Sequence, residues 1–160
     1  MRAPVNAFVV LRGEGTSVVI DLSRGQLPAI AHWGTDLGEL SVDEVSALVL
    51  AGVNPIVSNQ PDEPVRLALL PEHHTGWLGR PGVSGSRTGR DWSPKFTSTQ
   101  LWVDGQPVKT NSDAPTLVTA GAAVVEVEAL DDDASLALAV TLELTQGGLL
   151  RSRACLTNEG

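Results

Sequence analysis

Residues 122–145 read AAVVEVEALDDDASLALAVTLELT, and two alternating runs inside this stretch decide the fold. Val125, Val127 and Ala129 are set against Glu126 and Glu128, and further on Val140, Leu142 and Leu144 are set against Thr141, Glu143 and Thr145. A period of two puts the apolar set on one face of a strand and the polar set on the other, so each run is a half-buried β-strand. Between them, Asp131-Asp132-Asp133 lacks the alternating ligands and the twelfth-position Glu of an EF-type calcium loop. It reads as a solvated turn.

The same pattern extends outward. Strands are predicted over 97–103 and 106–109, joined by the Asp104-Gly105 turn that marks a hairpin, and over 117–120 and 149–157. Near the N-terminus, 7–11 and 16–22 flank Arg12-Gly13-Glu14-Gly15, and 27–33 follows a second turn, which makes a meander. Residues 65–70 are a further predicted strand, closed by Pro71. One segment breaks the pattern: Ser41 and Glu44 form a capping box ahead of Val45, Leu48 and Val49, which share one helical face, and Gly52 stands near the end. Many strands, one short helix and no repeated helical crossovers give a mainly β protein, an antiparallel β-sandwich in a single domain over residues 1–160.

Composition narrows the function. The 160 residues carry a formal charge of -8 with only 11 Lys and Arg, which argues against a nucleic-acid partner. No apolar run approaches the length of a membrane helix, and no long apolar leader follows Met1, so a cytoplasmic address is expected. Cys155 is the single cysteine, which excludes an internal disulfide and makes it an ordinary strand thiol.

The chemistry-bearing residues gather in 72–95, EHHTGWLGRPGVSGSRTGRDWSPK. Five glycines and two prolines between 73 and 95 leave no room for a regular element. His73 and His74 point to opposite sides of an extended chain and have no third ligand, so no metal is expected. The segment has neither the Gly-Lys-Ser/Thr ending of a phosphate loop nor a G-x-S-x-G elbow. Trp77 and Trp92 with Arg80, Arg87 and Arg90 are residue types that recognise sugars, because C–H faces stack on indoles and guanidinium groups donate to hydroxyls. The same tryptophans equally serve to pin a glycine-rich loop to a sheet. An ordered loop is expected over 76–96, with Trp92 at least half buried.

Several stretches resemble glycoside hydrolase family 36, the α-galactosidases: Ile30-Ala31-His32-Trp33-Gly34-Thr35-Asp36-Leu37-Gly38, then Leu69-Leu70-Pro71-Glu72-His73, then 76–96 (GWLGRPGVSGSRTGRDWSPKF), then 150–158 (LRSRACLTN). The resemblance implies an N-terminal supersandwich-like domain that is cut short, with the (β/α)8 barrel and its two catalytic aspartates absent. It therefore implies no catalytic residue here and no cofactor. The parent enzyme would hydrolyse terminal α-galactosides by the retaining two-carboxylate mechanism. In tetrameric relatives the N-terminal domain lends an aspartate-bearing loop to a neighbour's active site; the matching region is 53–66, with Asp62 the nearest candidate. Substrate-contacting candidates are thus Asp62, Trp77 and Arg80, and the partners implied are a galactoside and further copies of the chain. A stand-alone carbohydrate-binding module and a purely structural or oligomerisation domain are the alternatives.

Overall fold

The computed structural model describes residues 3–59, 65–111 and 113–160. They form nine strands and one α-helix: β1 (Ala7–Gly13), β2 (Thr16–Leu22), β3 (Ala29–Thr35), α1 (Val42–Ala51), β4 (Thr97–Val103), β5 (Gln106–Pro107), β6 (Thr116–Ala120), β7 (Val124–Asp131), β8 (Leu136–Leu144) and β9 (Leu150–Asn158). One sheet has the order β3-β2-β1-β6 and the other β5-β4-β7-β8-β9. The meander is present as β1, β2 and β3, and every described strand pair is antiparallel except β1 with β6.

The two sheets bury one core. Ala7, Val9, Leu11, Val18, Ile20 and Leu22 from the first meet Leu101, Val125, Val127, Leu138, Val140 and Leu142 from the second. The alternating runs behave as their period dictates, with Val127 opposite Val140 and Glu126 opposite Thr141 on the outer face. Strands β1 and β2 are apolar on both faces for a different reason. Phe8, Val10 and Val19 point away from the main core into a second cluster that contains Val45 of α1 and is packed by Leu48 and Val49. The helix thus lids the outer face of the four-stranded sheet, and a continuous apolar run is what a strand buried on both sides requires.

Helix α1 begins where its capping box places it. Ser41 Oγ accepts from the Glu44 N–H at 3.3 Å, and Glu44 Oε2 accepts from the Ser41 N–H at 2.8 Å. The Ser41 backbone N–H, with its hydroxyl, holds the Glu44 carboxyl below its ordinary range. At the chain's first turn, Arg12 and Asp36 form a two-pronged ion pair at 2.9 and 2.6 Å. That guanidinium, helped by the Gly38 N–H, pulls the Asp36 carboxyl down.

Four expectations change. Residues 65–70 form no strand; they touch the sheet through the Leu69 N–H to Pro28 O bond at 2.8 Å and through the Arg66 side chain. Arg66 donates to Asp21 Oδ2 at 2.6 Å, to Leu27 O at 2.7 Å and to Asp21 O. A guanidinium fork therefore does the attaching that a strand ladder would have done. Strand β5 is only Gln106–Pro107, and beyond it a single bond, from the Val108 N–H to Leu101 O at 2.9 Å, continues toward β4. In the acidic turn, Asp132 and Asp133 are exposed but Asp131 is buried, and it accepts from the Lys95 N–H at 2.7 Å and the Ala134 N–H at 3.0 Å.

The glycine-rich segment is closed at its neck. Glu72, itself buried, accepts the Phe96 N–H at 2.8 Å, while Asp131 holds neighbouring Lys95. Inside the loop the Gly82 N–H donates to Pro71 O at 2.8 Å, and a Cβ on Gly82 would stand 2.6 Å from Leu70 Cα, so only glycine permits that approach. Trp92, expected to be at least half buried, is 79% exposed. Asp91 before it adopts a left-handed conformation, φ 53°, which breaks the extended alternation and leaves the anchoring to Pro94 and Phe96.

Chemical denaturation should therefore separate the two aromatics. Phe96→Ala is expected to cost about 3–5 kcal/mol, as for a deleted buried aromatic, whereas Trp92→Ala should stay within about 0.5 kcal/mol. Ser41→Ala should cost about 1 kcal/mol through loss of the cap. Because Glu44 is depressed in the fold, its contribution is present above the unfolded-state pKa of about 4.3 and is lost as pH falls through the lower folded value. Carboxyl NMR should place the Glu44 midpoint below that of a model glutamate, and Ser41→Ala should raise it.

Candidate functional site

Beyond the neck the chain makes a 3-10 turn at His73–Thr75 and leaves it through Gly76 at φ 88°. Both histidines are exposed, and His74 Nε2 lies 3.2 Å from Glu72 Oε1. Among the described residues no group of three or more His, Cys, Asp or Glu is gathered to hold a metal ion.

Trp77 and Arg80 are brought together through the backbone. The Trp77 indole Nε1–H donates to Arg80 O at 3.0 Å, and the ring lies 2.6 Å from where a Cβ on Gly79 would stand. The indole folds over its own turn and spends its one donor there. The Arg80 residue is exposed beside it, and Leu78 between them is 97% exposed. Asp62 lies outside the described residues. Ahead of it in the same loop, Ile56 and Val57 are exposed, as is Leu50 at the end of α1.

Farther along, Arg87 ties the loop to the end of the five-stranded sheet. Its Nε and Nη2 donate to Ala134 O at 3.2 and 2.8 Å, Nη2 also to Asn158 Oδ1 at 2.6 Å, and Nη1 to Gly160 O at 3.0 Å. A cleft of about 290 Å³ opens beside it, with Val83, Pro94, Leu136 and Leu156 among its apolar walls and Ser84, Ser86 and Asp91 among its polar ones. A second, more acidic cleft of about 640 Å³ is lined by Glu128, Asp131, Asp132, Asp133 and Glu159 together with Lys95. There Asp131 spends both oxygens on backbone N–H groups, and Glu128 Oε2 accepts from Gln100 Nε2 at 2.5 Å. Carboxylates committed in this way are scaffold acceptors. The facing, free pair that glycoside hydrolysis uses is not what these two provide.

Sequence reasoning missed Glu72, Asp131, Asp21 and Arg66 as anchors. The signal was present only for Glu72, in Leu-Pro-Glu-His-His ahead of a glycine-rich run; burial of a single acid inside a strand pattern, as at Asp21, leaves no local mark.

The chain is 27% identical over 129 residues to an alpha-galactosidase of Escherichia coli, a stretch that is 81% of this chain and 15% of that protein. It thus spans well under a fifth of its relative's length. No solved structure matches it. The model of the glycosyl hydrolase family 36 N-terminal domain matches residues 26–160, taking in β3 to β9, the helix, and the whole of the necked loop with its Trp77 turn. On that match, this β-sandwich belongs to the family of glycosyl hydrolase family 36 N-terminal domains.

Proposed function

We propose that this chain is the non-catalytic N-terminal sandwich of an α-galactosidase, contributing scaffold, subunit contacts and part of a substrate pocket to a parent that hydrolyses terminal α-D-galactosides with two carboxylates supplied elsewhere. The family match over residues 26–160 carries this reading. The commitment of Asp131 and Glu128 to structural hydrogen bonds supports it, because a general acid or a nucleophile has to face the glycosidic bond.

The segment after α1 supports the pocket-lining role. Leu50, Ile56 and Val57 project into solvent just ahead of Asp62, and a loop that completes a neighbour's site presents such side chains to the neighbour. Asp62 would then accept hydroxyls of the galactoside, and Arg80 beside Trp77 would donate to them. A cytoplasmic address accords with Cys155, a free and exposed thiol on β9.

One observation favours a second reading, a stand-alone carbohydrate-binding module: the Trp92 ring is free to stack on a sugar. Loss of oligosaccharide binding on Trp92→Ala would favour that reading.

The purified 160-residue chain should give no turnover of an aryl α-galactoside, and the product of the full reading frame should give it. Turnover by the pure chain, with host enzyme excluded, would overturn the assignment.

A further inference from the structure

Strand β9 carries a basic end and an acidic end along one open edge. Its ladder with β8 is bracketed by the bonds from the Thr145 N–H to Leu149 O and from the Glu159 N–H to Ser135 O, both 2.9 Å. In the antiparallel register between those bonds, odd-numbered residues of β9 turn their N–H and C=O groups to β8, and Leu150, Ser152, Ala154, Leu156 and Asn158 turn theirs to the other side. That side has no neighbouring strand among the described residues. A row of backbone groups presented in this way is a template for another strand.

The side chains select which strand. Ser152, Ala154 and Leu156 stand opposite the core residues Leu142, Val140 and Leu138 and so share the inner face, while Arg151, Arg153, Cys155 and Thr157 line up on the outer one. Glu159 continues the ladder on the outer face, and with Asp132 and Asp133 it lines the acidic cleft. The two arginines therefore lie at one end of the edge and exposed acids at the other. Two antiparallel copies of β9 bring unlike ends together. The outward backbone groups belong to even-numbered residues, so each such residue has to meet another, which leaves two-fold registers centred on whole residues. Centres at Ser152 and Arg153 set arginine against arginine, and a centre at Ala154 gives both arginines neutral partners. A centre at Cys155 sets Arg151 against Glu159 and Arg153 against Thr157 on the outer face, with Ala154 against Leu156 and Ser152 against Asn158 on the inner. It also engages the strand over its whole length.

We infer that the β9 edge docks a second copy of this chain, antiparallel and two-fold about Cys155, joining two five-stranded sheets into one and setting Arg151 of each copy against Glu159 of the other. In that register Cys155 meets its own copy at a non-hydrogen-bonded position, where Cα atoms stand about 4.5 Å apart, within the reach of a disulfide. A contact confined to strand edges lies at the small end of protein interfaces, so the dimer is weak, with a Kd on the order of tens of micromolar. The inference does not rest on the α-galactosidase reading, which is decided by turnover and not by assembly.

Sedimentation of the whole 160-residue chain should show a reversible dimer at about 100 µM that dissociates on dilution, as a small interface requires. Diamide should trap it: two Cys155 thiols join as a disulfide, and their two hydrogens pass to the N=N bond of the diazene. Trapping should run on the order of tenfold faster in buffer than in urea, because docking raises the effective thiol concentration. Ala154→Pro removes an N–H that points to the open side and none that bonds β8, so it should leave the fold and abolish the dimer. Glu159→Lys, at an exposed position beyond the strand, should weaken the dimer on the order of tenfold, and adding Arg151→Glu should recover most of it. That exchange serves if Ala154→Pro fails to fold. Chains carrying Cys155→Ser with Arg153→Cys should cross-link to chains carrying Cys155→Ser with Thr157→Cys, which fixes the register. The inference is overturned if the chain stays monomeric, if Ala154→Pro and Glu159→Lys dimerise unchanged, or if the mixed cross-link does not form.

Discussion

The hydrogen bond from the Phe96 N–H to the buried carboxylate of Glu72 is the constraint on which the irregular half of the molecule depends. A long glycine-rich excursion has a large conformational entropy to lose and few side chains with which to offset it. Joining residue 72 to residue 96 across its base shortens the problem to a closed loop. Phe96 is then carried into the core, and Lys95 is brought to Asp131 at the end of β7. Inside the closed loop, the Gly82 approach to Leu70 and the Arg87 fork onto Ala134 hold separate portions against the sandwich. Removing Glu72 would open the base of the excursion and leave a buried N–H unpaired, so its cost reaches beyond one bond.

The same device recurs wherever irregular backbone meets the sheets. Asp21 receives the Arg66 fork and so fastens the chain that returns from α1, and Asp131 receives two N–H groups at the mouth of the acidic turn. Buried carboxylates here accept from backbone or guanidinium and are spent in doing so. A sandwich with one helical lid can bury a core of Val, Leu and Ile without help, because its strands satisfy one another. Its connections cannot, and in this chain acids take up that task.

The regular elements were legible because each is written in local sequence. The period of two at Val125, Val127 and Ala129 gave β7 and its facing, and the Ser41 and Glu44 pair gave the helix start to the residue. The apolar runs of β1 and β2 gave strands, yet they could not show that α1 covers the second face, since periodicity vanishes when both sides are buried. Residues 65–70 have strand composition but are held by Arg66, a long-range capture that nothing nearby announces. Trp92 misled because hydrophobic size predicts burial only when the backbone allows it, and the left-handed turn at Asp91 does not. At the candidate site, residue types were readable and pairings were not: that Trp77 spends its N–H on Arg80 O is a matter of turn geometry.

The sandwich is lopsided, and the charge on its open side sets conditions of its own. Strand β9 pairs with β8 along nine residues, but its other edge has no neighbour among the described residues, and all its positions after Leu150 are exposed. Arg151 pairs outward with Glu143 at 2.8 Å, and Arg153 stands opposite Thr141 on the same face. Like charges placed directly across a strand pair are destabilising, so a strand added at this edge fits best with acids or neutral residues opposite the two arginines. Even self-pairing is selective on this ground. An antiparallel register centred on Ala154 sets Arg153 against Cys155 and Arg151 against Thr157, whereas one centred on Ser152 sets Arg151 against Arg153 twice over. The edge that looks most open in hydrogen-bonding terms is therefore restricted in register by two side chains, and those side chains are basic in a chain whose net charge is -8.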